Sequence, residues 1–345
     1  MKVLVILTGG TIGSESVDHI LNINKTTHLS LINLYEARFG KEAEFEIQNP
    51  FTILSENILP KNWEMLCNVL HNVNQKEYDG IIITHGSDTL PYTSALIGLL
   101  FGHSSIPILL VASNYELNHP LSNGLDNFHN AISVIREGTL KGVFTIFQNH
   151  KQENIVYLPT RIQEADCYGD QFSSFGGIDF GRVQNDKFSW NDCALNPSIQ
   201  ELNHSKTIKI KTNINFINQV LVITPYPGFD YHTVNLTKDI KVILHSTYHS
   251  ATTCTEGENT SVLLFMKKCK EQNIDLYMSS CKENAVAMYD SSSKIIKNGG
   301  IPLVNISREA AYVKLLIAYN QKNMKAKDYM KENIYYESII NKSVK

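Results

Sequence analysis

The chain has 345 residues, of which 43% are hydrophobic and 19% charged, with 31 Lys and Arg against 34 Asp and Glu and a formal net charge of −3. That length is about two domains' worth and buries a large core without disulfides or structural metals. The composition excludes a disordered or collagenous protein, no basic footprint points to nucleic acid, and no charge block points to a membrane surface.

The N-terminus, Met1-Lys2-Val3-Leu4-Val5-Ile6-Leu7, carries one charged side chain and a short apolar run that enters Thr8-Gly9-Gly10. It reads as a buried first strand and is too short for a signal-peptide core with its cleavage site. Pro60 opens a segment of helical period (Trp63, Leu66, Val69, Leu70), and Gly80–Thr84 is a second apolar run. Pro91 opens another helix (Ala95, Leu96, Leu99, Leu100), which leads to the run Ile106–Ala112. Gly124 leads into Phe128, Ala131, Ile132 and Ile135, followed by the runs Val143–Phe147 and Ile155–Leu158. Proline is tolerated at a helix start because the N–H it lacks has no partner there. Runs of about five apolar residues without alternation indicate strands covered on both faces, as in parallel sheets. Strands alternating with helices predict a doubly wound α/β domain over residues 1–190.

Residues 191–213 are polar, contain Pro197 and show little periodicity, so a linker is expected there. A smaller α/β domain is expected over 214–345. Its strands are Val220–Thr224, Val242–Leu244, Leu276–Met278 and Ile301–Val304, and its helices Val262–Cys269, Ala285–Ile296 and Glu309–Ala318. No apolar run reaches the roughly 18 residues of a transmembrane helix. The six cysteines are widely and irregularly spaced without a C-x-x-C, which predicts reduced thiols in a soluble, cytoplasmic protein.

Open parallel sheets bind ligands at the carboxyl ends of their strands. After the first strand comes Thr8-Gly9-Gly10-Thr11-Ile12-Gly13, after the second His85-Gly86-Ser87-Asp88-Thr89, and after the third Ser113-Asn114. Paired glycines turn the backbone sharply and expose N–H groups beside the Thr11 hydroxyl. Such a hydroxyl attacks a carbonyl when a base or polarised network deprotonates it, or it merely caps a helix. Phosphate binding is less well supported, because G-x-G-x-x-G and the Walker signature are absent. Asp88 either fixes a ligand's ammonium group or caps the helix opened by Pro91. His85 reads as a packed, hydrogen-bonded residue rather than a base. No metal-ligand spacing of His, Cys and carboxylates is present.

Taken together, TGGTIG at 8–13 and ITHGSDT at 83–89 resemble the two signatures of bacterial-type L-asparaginases, the asparaginase/glutaminase family. The resemblance continues in Ser55-Glu56-Asn57 with Pro60 and Trp63, in Val111-Ala112-Ser113-Asn114, and in Ser122-Asn123-Gly124 with Asn127, Asn130 and Ala131. It reaches Tyr226-Pro227-Gly228 and Arg308-Glu309-Ala310, and so spans essentially the whole chain.

The resemblance implies a two-domain asparaginase/glutaminase-like fold with a larger, flavodoxin-like N-terminal domain. It also implies hydrolysis of a small amino-acid amide, asparagine first, through an acyl-enzyme, with no cofactor and no metal. Thr11 matches the nucleophile. Ser87 and Asp88, with a lysine from a later strand, match the rest of the catalytic set. Ser55, Glu56 and Asp88, with Gly10, Gly86 and Ser113, match the substrate-binding residues. A homodimer or homotetramer is implied, with Tyr248-His249-Ser250 close to the partner subunit's site; no nucleic-acid or membrane partner is.

Three departures stand out. Ser87 stands where the family has threonine, which retains a hydroxyl. Arg161, in Leu158-Pro159-Thr160-Arg161, is expected to replace the family lysine. Arginine stays charged and cannot act as a base, so its expected role is electrostatic, within hydrogen-bonding reach of Asp88 or Ser87. Ser14 to Lys25 holds no tyrosine, which leaves His19 as the nearest activating group in that segment. The alternatives to asparagine hydrolysis are an amidase for a different or peptide-linked amide, and a non-hydrolytic amino-acid-binding relative.

Overall fold

In the computed structural model the described residues are 1–17, 20–23, 27–203, 214–281 and 288–340; for 13–17, 20–23, 27–30 and 280 only the backbone is described. The chain forms two compact units. The first comprises Met1–Asn215 with Ile334–Tyr336, the second Phe216–Asn333 with Glu337–Ile340.

In the first unit the chain runs through β1 (Lys2–Leu7), β2 (Ser14–Val17), β3 (Ile20–Ile23), α1 (Thr27–Phe39), β4 (Glu44–Gln48) and α2 (Pro60–Asn72). It continues through β5 (Gly80–Thr84), α3 (Leu90–Phe101), β6 (Pro107–Val111), α4 (Gly124–Glu137), β7 (Gly142–Gln148) and β8 (Asn154–Tyr157). The short β9 (Ile162–Gln163) and β10 (Ser173–Ser174) precede β11 (Gly181–Gln184), β12 (Lys187–Trp190) and α5 (Ile199–Asn203). Eight strands form one sheet in the order β12-β11-β8-β7-β6-β5-β1-β4. The five from β7 to β4 pair in parallel. Counted among themselves in chain order these five run 2-1-3-4-5, the flavodoxin arrangement, whose order reverses between β1 and β5. Every residue of β5 and β6 is buried, which is why both read as uninterrupted apolar runs.

β8 departs from the expected parallel sheet. It pairs antiparallel with β7 and β11, because five residues between Gln148 and Asn154 allow a reversal but no helical crossover. The linker expected over 191–213 is also different. Residues 191–203 belong to the first unit: Asn196 is 3% exposed, its amide donates to the carbonyls of Asp179 and Asn191, and α5 buries Leu202. Asparagine amides satisfy a folded loop's backbone without any apolar periodicity, so polarity alone does not mark a linker. Residues 204–213 lie outside the described ones.

The second unit holds β13 (Val220–Ile223), β14 (Val242–Ser246), α6 (Val262–Glu271), β15 (Asp275–Cys281), α7 (Asp290–Lys297), β16 (Ile301–Val304), α8 (Arg308–Asn320) and α9 (Ala326–Lys331). Its four strands are parallel in sequential order. Val262, Phe265, Met266 and Cys269 of α6 pack with Ile243, Leu276 and Met278 of the sheet and with Ile295 of α7. The helix expected from Ala285 begins at Asp290, residues 285–287 lying outside the described ones. Among the described residues no helix is long and apolar enough to cross a membrane, and no group of three or more His, Cys, Asp or Glu is placed to hold a metal ion.

Candidate active site

β1 and β5 are hydrogen-bonded neighbours, so the loops that leave their carboxyl ends emerge side by side at the sheet's switch point. Thr8 fastens them: its hydroxyl donates to Thr84 O at 2.8 Å. A third segment joins through main-chain bonds, Gly10 N–H to Ile53 O at 3.0 Å and Ile53 N–H to Thr8 O at 3.1 Å. Two glycines are obligatory here. Gly10 has φ +79°, and a Cβ on it would overlap the Gly86 backbone; a Cβ on Gly86 would fall on Ser55 Oγ. The loops holding Thr11, Ser55 and Ser87 are therefore in backbone contact.

Thr11 begins a short 3-10 turn, Thr11–Gly13, and is partly exposed. Ser87 is partly exposed, and Asp88 and Glu56 are exposed. Asp88 is not a helix cap. Thr89 holds that position, and its hydroxyl donates instead to Ser55 O at 2.9 Å, tying the second and third loops together. Neither the Asp88 nor the Glu56 carboxylate has a hydrogen-bond or ion-pair partner among the described residues. Two open carboxylates beside the Ser55 and Ser87 hydroxyls form an arrangement able to hold a cationic ammonium group.

Arg161 and Ser113 are engaged elsewhere. Arg161 bonds to groups other than Ser87 and Asp88. It is 2% exposed; its Nε donates to Tyr336 O at 2.8 Å and a terminal nitrogen donates to Leu195 O at 2.8 Å. The same nitrogen lies 3.4 Å from Asn196 Oδ1. A buried guanidinium fixed by main-chain carbonyls is a structural clamp: its fork matches acceptors that no motif reveals. Thr160 beside it donates to Tyr335 O at 2.8 Å, so this stretch holds the returning C-terminal segment to the first unit. Ser113 makes its side-chain bonds around its own loop. It is fully buried, its hydroxyl donating to Tyr115 O and lying 3.0 Å from the Ser122 hydroxyl, which shapes the loop before α4. His19 lies outside the described residues.

His85 is buried at 1% exposure, with Nδ1 2.8 Å from Gly86 O and Nε2 2.9 Å from Thr93 Oγ1. The sequence marks it as packed and hydrogen-bonded but does not reveal its partners; Trp63 and Thr93 sit at helical spacing on α2 and α3 without any polar signature. Burial pushes its pKa down to about 4, and burial does the same to His245 in the second unit. Both folded-state values lie below the ordinary 6.5, so the unfolded chain binds more protons between pH 6.5 and 4. Stability is therefore full above about 6.5 and declines as pH falls through that window. Urea midpoints at a series of pH values should trace this decline, and His245→Gln should flatten it; a midpoint that rises on acidification contradicts the assignment.

Known proteins bear on this geometry. The family model described as "Asparaginase, N-terminal" matches residues 2–195. The chain is 29% identical over 188 residues to the L-asparaginase of Thermococcus kodakarensis, covering 54% of this chain and 55% of the relative. It is 28% identical over 178 residues to a glutamyl-tRNA(Gln) amidotransferase subunit from Methanococcus vannielii, covering 52% of this chain and 41% of that protein. Each of these two matches thus spans about half of the relative's length or less. Among solved structures, the thermostable L-asparaginase from Thermococcus kodakarensis superposes with a TM-score of 0.80 at 22% identity, covering 99% of this chain and 100% of the other. L-asparaginase I from Vibrio cholerae superposes with a TM-score of 0.73 at 19% identity, covering 98% and 99%. The two-unit α/β architecture is theirs.

Proposed function

The chain belongs to the asparaginase family, and from that premise we propose that it is an amidohydrolase converting asparagine to aspartate and ammonia through an ester on Thr11. The observation that carries the reading is the backbone contact of Gly10 with Gly86, which supports one site built from both signature loops. Thr11 Oγ attacks the side-chain amide carbon, and its proton passes to the departing nitrogen. The oxyanion is stabilised by main-chain N–H groups of the glycine turns. The C–N bond breaks to release ammonia, and water then adds to the ester, returning the proton to Thr11 and freeing aspartate. Ser55, Glu56 and Asp88 hold the α-carboxylate and α-ammonium of the substrate, with Ser87 assisting beside them.

Asp88→Asn removes one charge-assisted hydrogen bond worth roughly 1.5–3 kcal/mol. It should weaken asparagine binding at least about tenfold by calorimetry on a Thr11→Ala background; unchanged affinity removes Asp88 from this role. A second reading, an amide other than asparagine, draws support from the amidotransferase relatives, with glutamine the first candidate. Ammonia release from asparagine, glutamine and dipeptide amides separates the readings, and binding without ammonia would indicate a non-hydrolytic relative. A cytoplasmic location and a symmetric homo-oligomer with an isologous dimer at its heart belong to the same proposal. Light scattering at micromolar concentration should find no monomer; an active monomer contradicts the assembly.

A further inference from the structure

We propose that His85 is a positioning residue for this reaction, holding the Gly86 carbonyl so that the Ser87 N–H and hydroxyl stand fixed in the site, with Thr93 and Trp63 fixing the ring. The inference rests on the amidohydrolase reading above. His85 ends β5, and its own N–H donates to Val111 O at 2.9 Å, which seats the residue against the next strand. The ring takes part in a chain whose direction chemistry dictates. A carbonyl only accepts, so Nδ1, 2.8 Å from Gly86 O, carries the proton. Trp63 Nε1 only donates, and it donates to Thr93 Oγ1 at 2.9 Å. The Thr93 hydroxyl proton then goes to His85 Nε2 at 2.9 Å, which offers a lone pair because the buried ring stays neutral. Protons therefore point one way: Trp63 to Thr93, Thr93 to His85, His85 to Gly86.

The consequence falls on the next peptide. A planar trans peptide sets the Ser87 N–H opposite the Gly86 carbonyl, so a held carbonyl is a held N–H. Gly86 has no side chain with which to fix its own backbone, and the room beside it is taken by Gly10 and Ser55. An N–H aimed at a developing oxyanion acts only if it is preorganised, and the histidine supplies that restraint from behind the site, without touching substrate.

The test combines ring tautomer with steady-state kinetics on the full chain. Nitrogen-15 NMR of wild-type protein near neutral pH should show His85 protonated on Nδ1. With asparagine, His85→Leu and Thr93→Val should lower kcat by about tenfold or more, as misplacement within a site does, while KM stays within about twofold because Glu56 and Asp88 are untouched. His85→Asn, whose amide N–H takes the Nδ1 place, and Thr93→Ser, which keeps the hydroxyl, should recover most of the loss. Should His85→Leu fail to fold by circular dichroism, the Thr93→Val and Thr93→Ser pair carries the test. An Nε2-protonated ring, an unchanged kcat in folded His85→Leu, or equal losses in the apolar and rescuing variants overturns the role while the amidohydrolase reading stands. A wild-type chain that releases ammonia from no amide overturns both.

Discussion

Thr11→Ala is expected to abolish ammonia release, by roughly a thousandfold or more, because loss of a nucleophile is not made good by the remaining members of a catalytic set. The fold should survive. Thr11 is partly exposed at the start of a short turn, and Thr8, Gly10, Ile53 and Thr89 make contacts that assemble the three loops. Substitutions away from buried features move stability by about half a kcal/mol. Denaturation midpoints should accordingly match wild type while turnover vanishes. Near-normal ammonia release from Thr11→Ala would move the nucleophile elsewhere, with Ser87 the next hydroxyl to examine.

Arg161 calls for the opposite result. Its removal strips donors from the part-buried carbonyls of Tyr336 and Leu195, and an unsatisfied buried acceptor costs about 1–3 kcal/mol. Arg161→Ala should therefore lose about 2–5 kcal/mol in urea unfolding. Arg161→Lys offers a single-pronged amine in place of a fork and should recover only part of that stability. Since the guanidinium is bound to main chain rather than to Ser87 or Asp88, neither substitution should alter the shape of the pH profile of the remaining activity. A new titrating limb in Arg161→Lys would place this residue back among the reacting groups.

These two residues mark where sequence is informative and where it is not. β1, β5, β6 and β7 were legible because helices cover both faces of a parallel sheet, leaving continuous apolar runs. β4, with the pattern Glu-Phe-Glu-Ile-Gln at the sheet edge, and the hairpin of β11 and β12 were not. The hairpin did leave a trace: Asn185 and Asp186 both have positive φ, the conformation that a two-residue hairpin turn requires and that Asn and Asp tolerate. Thr11, Ser87 and Asp88 drew attention because they follow glycines at the carboxyl ends of β1 and β5, whereas Ser55 and Glu56 were named only through the family resemblance. The partners of Arg161 were not legible because two of them are backbone carbonyls 34 and 175 positions away in the chain, and a carbonyl carries no residue identity. The Trp63–Thr93–His85 chain was hidden for a related reason, its members being spread over α2, α3 and the end of β5.

An acyl-enzyme on Thr11 can be caught by acid-quenching the protein within milliseconds of mixing with asparagine and mapping its peptides by mass spectrometry. An aspartyl ester is expected on the peptide that contains Thr11, formed in wild type and absent from Thr11→Ala. Ammonia released with the ester on another residue, or with no ester at any quench time, would contradict it.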